Sequence, residues 1–188
     1  DKQTFLTAIQ IERAELDSLL AQVDKARMTQ PGAEGEWSVK DVIAHIAWHE
    51  REMIGLLQAR ALAGSDLWNL PTHERNAAIF QLNQARALDD VLAEAREAFQ
   101  QFWEAVQTLS NNELADPRKF RDMPDEWLPW KIIAENSFEH YHDHSQTLHA
   151  WLAGDPRMRE RFFREARVLL DLTHPNIVML RDVGQWQS

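Results

Sequence analysis

Apolar side chains recur every three or four residues along four long stretches of the chain, and that period predicts helices. In the first stretch Phe5, Ile9, Leu16, Leu19 and Val23 predict a helix from about Lys2 to Met28, ended by Pro31 and Gly32. The second begins at Ser38-Val39-Lys40-Asp41, which has the form of a capping box, and runs through Val42, Ile46, Met53, Leu56 and Leu57 to about Ala63. The third runs from Asp89 or Asp90 to Leu109. The fourth starts with Pro129 in its first turn and ends near Ala153, closed by Gly154-Asp155-Pro156.

Two connections are long. The stretch from Gly64 to Leu88 holds a short helical pattern from Thr72 to Leu82, and the stretch from Asn111 to Leu128 reads as irregular. Crossovers of this length suit a helical bundle whose neighbours are not simply up and down, and long loops are where pockets form. After the fourth helix the pattern changes. Met158 to Leu172 reads as an Arg-rich amphipathic helix, and Ile177-Val178-Met179-Leu180 is the one strongly strand-like run. The fold class is therefore all-α: a four-helix bundle with long crossover loops, plus a C-terminal helix and a short strand-like tail. Residues 1–153 form the bundle and 154–188 an extension.

Composition narrows the function. A chain of 188 residues, 44% hydrophobic and 27% charged, is large enough for one good core, and 6 Gly with 7 Pro are too few for the turns of a sandwich or barrel. With no Cys there are no disulfides, thiolate metal sites or cysteine nucleophile, and metal ligands must come from His, Asp or Glu. A net charge of −10 disfavours nucleic acid. No apolar run approaches the roughly 18 residues of a membrane span, and no signal-peptide pattern is present, so the expected location is the cytoplasm. The start without Met reads as a processed or trimmed one.

The candidate chemistry lies in Glu139-His140-Tyr141-His142-Asp143-His144. Spacing of four puts His140 and His144 one helical turn apart on one face, which is how a helix offers two nitrogens to one metal ion. On a helical wheel Ile133, Ser137, His140, His144, Leu148 and Trp151 share the inner face, while His142 and His149 fall opposite. On the second helix Val42, His45, Ile46, His49, Met53 and Leu56 share the inner face. A bundle would bring His45 or His49 against the pair. An all-histidine set suits Zn, Ni, Fe or Cu rather than Mg or Ca, and three ligands leave a coordination position for water or substrate. The bland alternative is hydrogen-bonded core or surface histidines. His49 reads as a fourth ligand, a hydrogen-bond donor behind the ligands or a core residue, with the last two favoured. Asp143 or Glu139 offers a carboxylate to hold a ring nitrogen from behind, though neither points obviously the right way. His73 reads as solvated, and Trp48 and Trp151 as packing residues. No catalytic acid or base stands out, Asp143 and Tyr141 being too generic.

Trp37-Ser38-Val39-Lys40-Asp41-Val42-Ile43-Ala44-His45 resembles the second-helix motif of the DinB-like (DNA-damage-inducible) four-helix bundle superfamily. Glu139–His144 with Leu148-His149-Ala150-Trp151-Leu152 resembles its last-helix motif. The resemblance covers about residues 1–153. It implies a divalent metal (Zn, Ni or Fe) held by His45, His140 and His144, a frequent homodimer, and a small-molecule substrate. Some members are transferases or isomerases that use a low-molecular-weight thiol as cosubstrate, and more distant ones are hydrolases. The expected function is thus a metal-dependent enzyme, a thiol-dependent S-transferase or a hydrolase. The alternative is a non-enzymatic metal-binding, stress-response or scaffold module.

Residues 158–185 resemble the C-helix and following strand of a protein kinase. The resemblance rests on Arg161–Leu170 and His174-Pro175-Asn176-Ile177-Val178, with Glu165 at the position of the kinase's paired glutamate. The glycine-rich loop, catalytic loop and Asp-Phe-Gly motif are absent, so this piece is no kinase.

Overall fold

Helix α1 (Lys2–Leu20) is capped by Asp1, whose carboxylate accepts from the Thr4 amide at 2.9 Å. It ends earlier than its apolar period predicts: after Leu20 the chain tightens into i→i+3 turns, and Asp24 leaves the helical region with Val23 still buried. An unpredicted hairpin follows, β1 (Pro31–Glu34) paired antiparallel with β2 (Trp37–Ser38). Gly32 and Gly35 hold positive φ (107° and 59°), which a glycine adopts without strain. This computed structural model describes residues 1–154. The expected helix Met158–Leu172, the strand-like run and the kinase-like segment lie outside the described residues.

Helix α2 (Val39–Ala59) starts at the predicted capping box. Ser38 Oγ accepts from the Asp41 amide at 3.3 Å, and Asp41 Oδ2 accepts from the Ser38 amide at 2.9 Å. Every residue from Val42 to Glu50 is buried, so α2 is a central helix with no solvent face along this stretch. Its main neighbour is α4 (Leu88–Gln107). The crossover between them carries α3 (Thr72–Asn83), as the sequence predicts. Helix α5 (Asn111–Ala115) breaks up the second long connection, which is stitched to the first: the Arg121 amide donates to the Arg60 carbonyl and the Leu62 amide to the Arg121 carbonyl, both at 2.8 Å.

The fourth long helix is two. Helix α6 (Pro129–Glu135) begins with Pro129, and α7 (Phe138–Gly154) resumes after a turn at Asn136 and Ser137. Side chains take over backbone acceptors there: Asn136 Nδ2 donates to the Ile132 carbonyl at 2.8 Å and Ser137 Oγ to the Ile133 carbonyl at 2.5 Å. Such back-bonding bends helices. The architecture is an all-α bundle with long crossovers, and Asp1–Leu148 forms one compact unit. Among the described residues no helix is long and apolar enough to cross a membrane.

Two polar knots fix the bundle. Glu50 is fully buried, and its Oε1 accepts from Arg13 Nη1 at 2.7 Å and from the Tyr141 hydroxyl at 2.8 Å. The Arg13 guanidinium lies 4.0 Å from the centre of the Phe99 ring, so one cluster draws on α1, α2, α4 and α7. The second knot is Lys40, whose buried ammonium donates to the carbonyls of Asn83 (3.1 Å), Gln84 (2.8 Å) and Arg86 (3.3 Å). It caps the C-terminal end of α3 and ties that helix to the start of α2. Lys40→Met should strand those carbonyls, at a cost of about 3 kcal/mol and a fall in Tm of about 6–12 °C. Thermal denaturation followed by circular dichroism measures this, and an unchanged Tm would show that the strut carries no load.

Candidate metal centre

Four imidazoles meet between α2 and α7. His45 Nε2 lies 3.0 Å from His140 Nε2, and His144 Nε2 lies 2.9 Å from the same atom. Nitrogens of His45, His49 and His140 also fall within 4.8 Å of one another. The predicted residues His45, His140 and His144 are therefore brought together, and His49, expected mainly as a core residue or a donor behind the ligands, joins them. Three histidines here could hold a metal ion. The grouping by mutual distance takes His49 and the shortest contacts take His144, so the geometry alone offers two overlapping triads.

The partners of the far nitrogens distinguish these rings. His144 Nδ1 lies 2.7 Å from Glu34 Oε2, on the hairpin. An ionised carboxylate only accepts, so Nδ1 carries the proton and, in the neutral ring, Nε2 presents its lone pair to the cluster. That hydrogen bond, ahead of the opposing effect of burial, holds the Glu34 carboxyl below its usual range. His49 Nδ1 lies 2.7 Å from Asn136 Oδ1, and the Asn136 amide is oriented by its bond to Ile132, so His49 Nε2 is also unprotonated. It is buried and without a partner, as are His45 Nδ1 and His140 Nδ1. The carboxylates expected behind the rings, Asp143 and Glu139, are both exposed. Their places are taken by Glu34 and Asn136. Gly32, Gly35 and the Asn136-Ser137 pair were the available signals, as turn and helix-break residues.

Hydrogen bonding alone cannot satisfy this cluster. An imidazole nitrogen has one in-plane position, filled by a hydrogen or by a lone pair. His140 Nε2 has two nitrogen neighbours at about 3 Å and can satisfy one of them. A cation among the lone pairs satisfies all three, and tetrahedral ligand nitrogens about 2.0–2.1 Å from an ion stand about 3.3 Å apart. The two observed contacts, 3.0 and 2.9 Å, are close to that spacing.

Sequence neighbours divide as the wheel predicts. His142 is half exposed, 3.1 Å from Glu12, and His149 and His73 are exposed. Trp48 is buried against His49 and Trp68, a packing position. Beside the cluster a cavity of about 720 Å³ is lined by Met53, Leu56, Trp68, Trp127, Ile132 and Asn136, among others. Trp68 and Asn136 thus belong to the cavity wall and also touch His49.

Burial is the main force on these rings. It lowers His45 to about 2 and His49 to about 4, with neighbouring imidazoles and Arg75 adding to it, and it takes His140 well below the ordinary 6.5. In the metal-free protein these groups bind fewer protons than they do unfolded. Their contribution is complete above pH 6.5 and is lost as pH falls toward the folded values. Glu50 acts oppositely: burial, against Arg13, raises it from 4.5 to about 7, so its contribution falls as pH rises through that window. Three histidines outweigh one carboxyl. Chelator-treated protein should lose stability from pH 7 to pH 5, by up to about 1.4 kcal/mol per pH unit for each unbalanced proton. Urea unfolding measures this, and a flat or opposite trend would contradict it.

Comparison with known proteins gives the fold a lineage. Curated proteins return no significant match. Among solved structures, the chain is similar to a crystal structure of a histidine-to-alanine mutant of the mycothiol-dependent maleylpyruvate isomerase. The TM-score is 0.62 at 14% identity, covering 91% of this chain and 70% of that one. A profile described as the DinB superfamily matches residues 8–148. With that match over most of its length, the chain belongs to the DinB superfamily.

Proposed function

We propose that this protein is a metal-dependent enzyme of the DinB type, with one divalent ion (Zn, Ni or Fe) held by His45, His140 and His144. The observation that carries the reading is His140 Nε2, which has His45 Nε2 and His144 Nε2 both at hydrogen-bond distance and can satisfy only one of them. His144 is preferred to His49 as the third ligand because Glu34 stands behind it, and a carboxylate behind a ligating imidazole raises its basicity and fixes its ring. His49 is held by a neutral amide instead.

A divalent ion bound there supplies Lewis acidity and makes a thiol or a water acidic enough to act as nucleophile near neutral pH. The chain's own residues supply the rest. Burial disfavours protons on His45, His49 and His140, Glu34 and Asn136 hold the far nitrogens of His144 and His49, and the cavity beside His49 is of a size that takes a small molecule. The substrate class is a small molecule. The reaction is a thiol-dependent S-transfer, with a low-molecular-weight thiol as cosubstrate, or a hydrolysis. The thiol reading draws on the mycothiol dependence of the structural neighbour. The protein is expected to act in the cytoplasm and to form a homodimer.

Elemental analysis of purified protein should find about one metal ion per chain, lost in the His140→Ala, His144→Ala double variant. Equal metal content in the two proteins would falsify the site. With the ion present, thiol-transfer and hydrolysis screens should show turnover that a chelator abolishes. Turnover indifferent to chelation would leave the ion a structural role and favour a non-enzymatic metal-binding module.

A further inference from the structure

Helix α3 brings a cation to the histidine cluster, and no carboxylate among the described residues pairs with it. The Arg75 guanidinium lies over the Trp68 ring, 4.7 Å from its centre, and Trp68 stands edge-on to His49 at 5.7 Å. Arg75 Nε is buried without a hydrogen-bond partner. The remaining contact of the group is a long one, Nη2 to Thr72 Oγ1 at 3.4 Å. Arg13, Arg51, Arg60 and Arg86 each meet a carboxylate, whereas among the described residues Arg75 meets none. In a chain of net charge −10, an arginine beside the histidine cluster with no carboxylate partner among the described residues is an available anion site.

The surroundings hold Arg75 in place. Lys40 fixes the C-terminal end of α3. Glu52 Oε2 accepts from Trp68 Nε1 at 2.7 Å and from the Ser65 amide at 2.8 Å, which pins the loop before α3. The indole is seated so closely on Gly64 that a Cβ there would fall 2.4 Å from Trp68 Cδ1. A second aromatic contact joins α3 to the cluster: Phe80 stacks on Trp37 at 6.0 Å, and Trp37 meets the His45 ring at 5.2 Å. A guanidinium stacked on an immobile ring is a preorganised fork whose flat donor edge fits a carboxylate in two parallel hydrogen bonds.

We propose that Arg75 binds the carboxylate of the substrate, so that the enzyme acts on a small carboxylic acid. Trp68 joins the two features: its ring carries the Arg75 guanidinium, meets His49 and lines the cavity beside it. This rests on the reading of the cluster as the reaction centre.

Isothermal titration with sodium benzoate, and with neutral benzamide as control, tests it on zinc-loaded and on chelator-treated protein. Wild type should bind benzoate better than benzamide, and Arg75→Met should weaken benzoate binding by about tenfold or more while leaving benzamide unchanged. Arg75→Lys, which keeps the charge but not the fork, should fall between. Circular dichroism and zinc content should be unaltered in both variants, which separates lost recognition from lost fold. Equal benzoate affinity in wild type and Arg75→Met, benzamide binding as strong as benzoate, or no benzoate binding at millimolar concentration would each overturn the proposal. If no zinc is taken up but chelator-treated protein shows the Arg75-dependent benzoate affinity, the metal reading fails and the carboxylate site stands. If zinc binds and Arg75 makes no difference, the reverse holds.

Discussion

A single nitrogen cannot serve two neighbours, and at His140 Nε2 it is asked to. His45 and His144 both approach that atom at hydrogen-bond distance, while Glu34 has already committed His144 to presenting a lone pair unless the ring is doubly protonated. Burial opposes putting protons on His45 and His140. What relieves the crowding is a positive centre that accepts several lone pairs at once. The burial that disfavours protons on His45 and His140, the Glu34 contact behind His144 and the crowding at His140 Nε2 all fit that one requirement.

The fold is arranged around holding these rings where they would not otherwise stay. Helix α2 gives up its solvent face entirely between Val42 and Glu50, so that both its histidines lie inside. One residue on from His49, Glu50 joins Arg13 and Tyr141 and thereby locks α2 against α1 and α7, next to His140. The break between α6 and α7 frees the Asn136 side chain to orient His49, which an uninterrupted helix would not do. The hairpin before α2 delivers Glu34, and the capping box that starts α2 stands beside Lys40, which anchors α3 and with it Arg75. Stability and site therefore share residues.

The helices were legible because their apolar period is regular and their ends carry Ser38, Asp41 and Pro129, residues with a mechanical role at helix termini. His140 and His144 were legible because i,i+4 spacing fixes a common face. The choice between His45 and His49 was not, because a wheel presumes one wet face and α2 has none along that stretch. Glu34 and Asn136 escaped for a different reason: they act on the histidines from 110 and 87 residues away in sequence, and no local pattern encodes such a contact. Pro31-Gly32-Ala33-Glu34 has no β-propensity, so the strand that carries Glu34 is made by its turn and its partner rather than by its own side chains. Glu50 and Tyr141 looked like ordinary helix residues until Arg13 was placed against them.

The most direct test of the central claim is a cobalt(II) titration of chelator-treated protein followed by visible absorption. One equivalent per chain should bind, with the intense bands of a four- or five-coordinate nitrogen-ligated ion, and added thiol should shift them by entering the coordination position left open. Absence of those bands, or a spectrum of weakly held octahedral cobalt that fails to saturate at one equivalent, would contradict the reading of these histidines as a metal site.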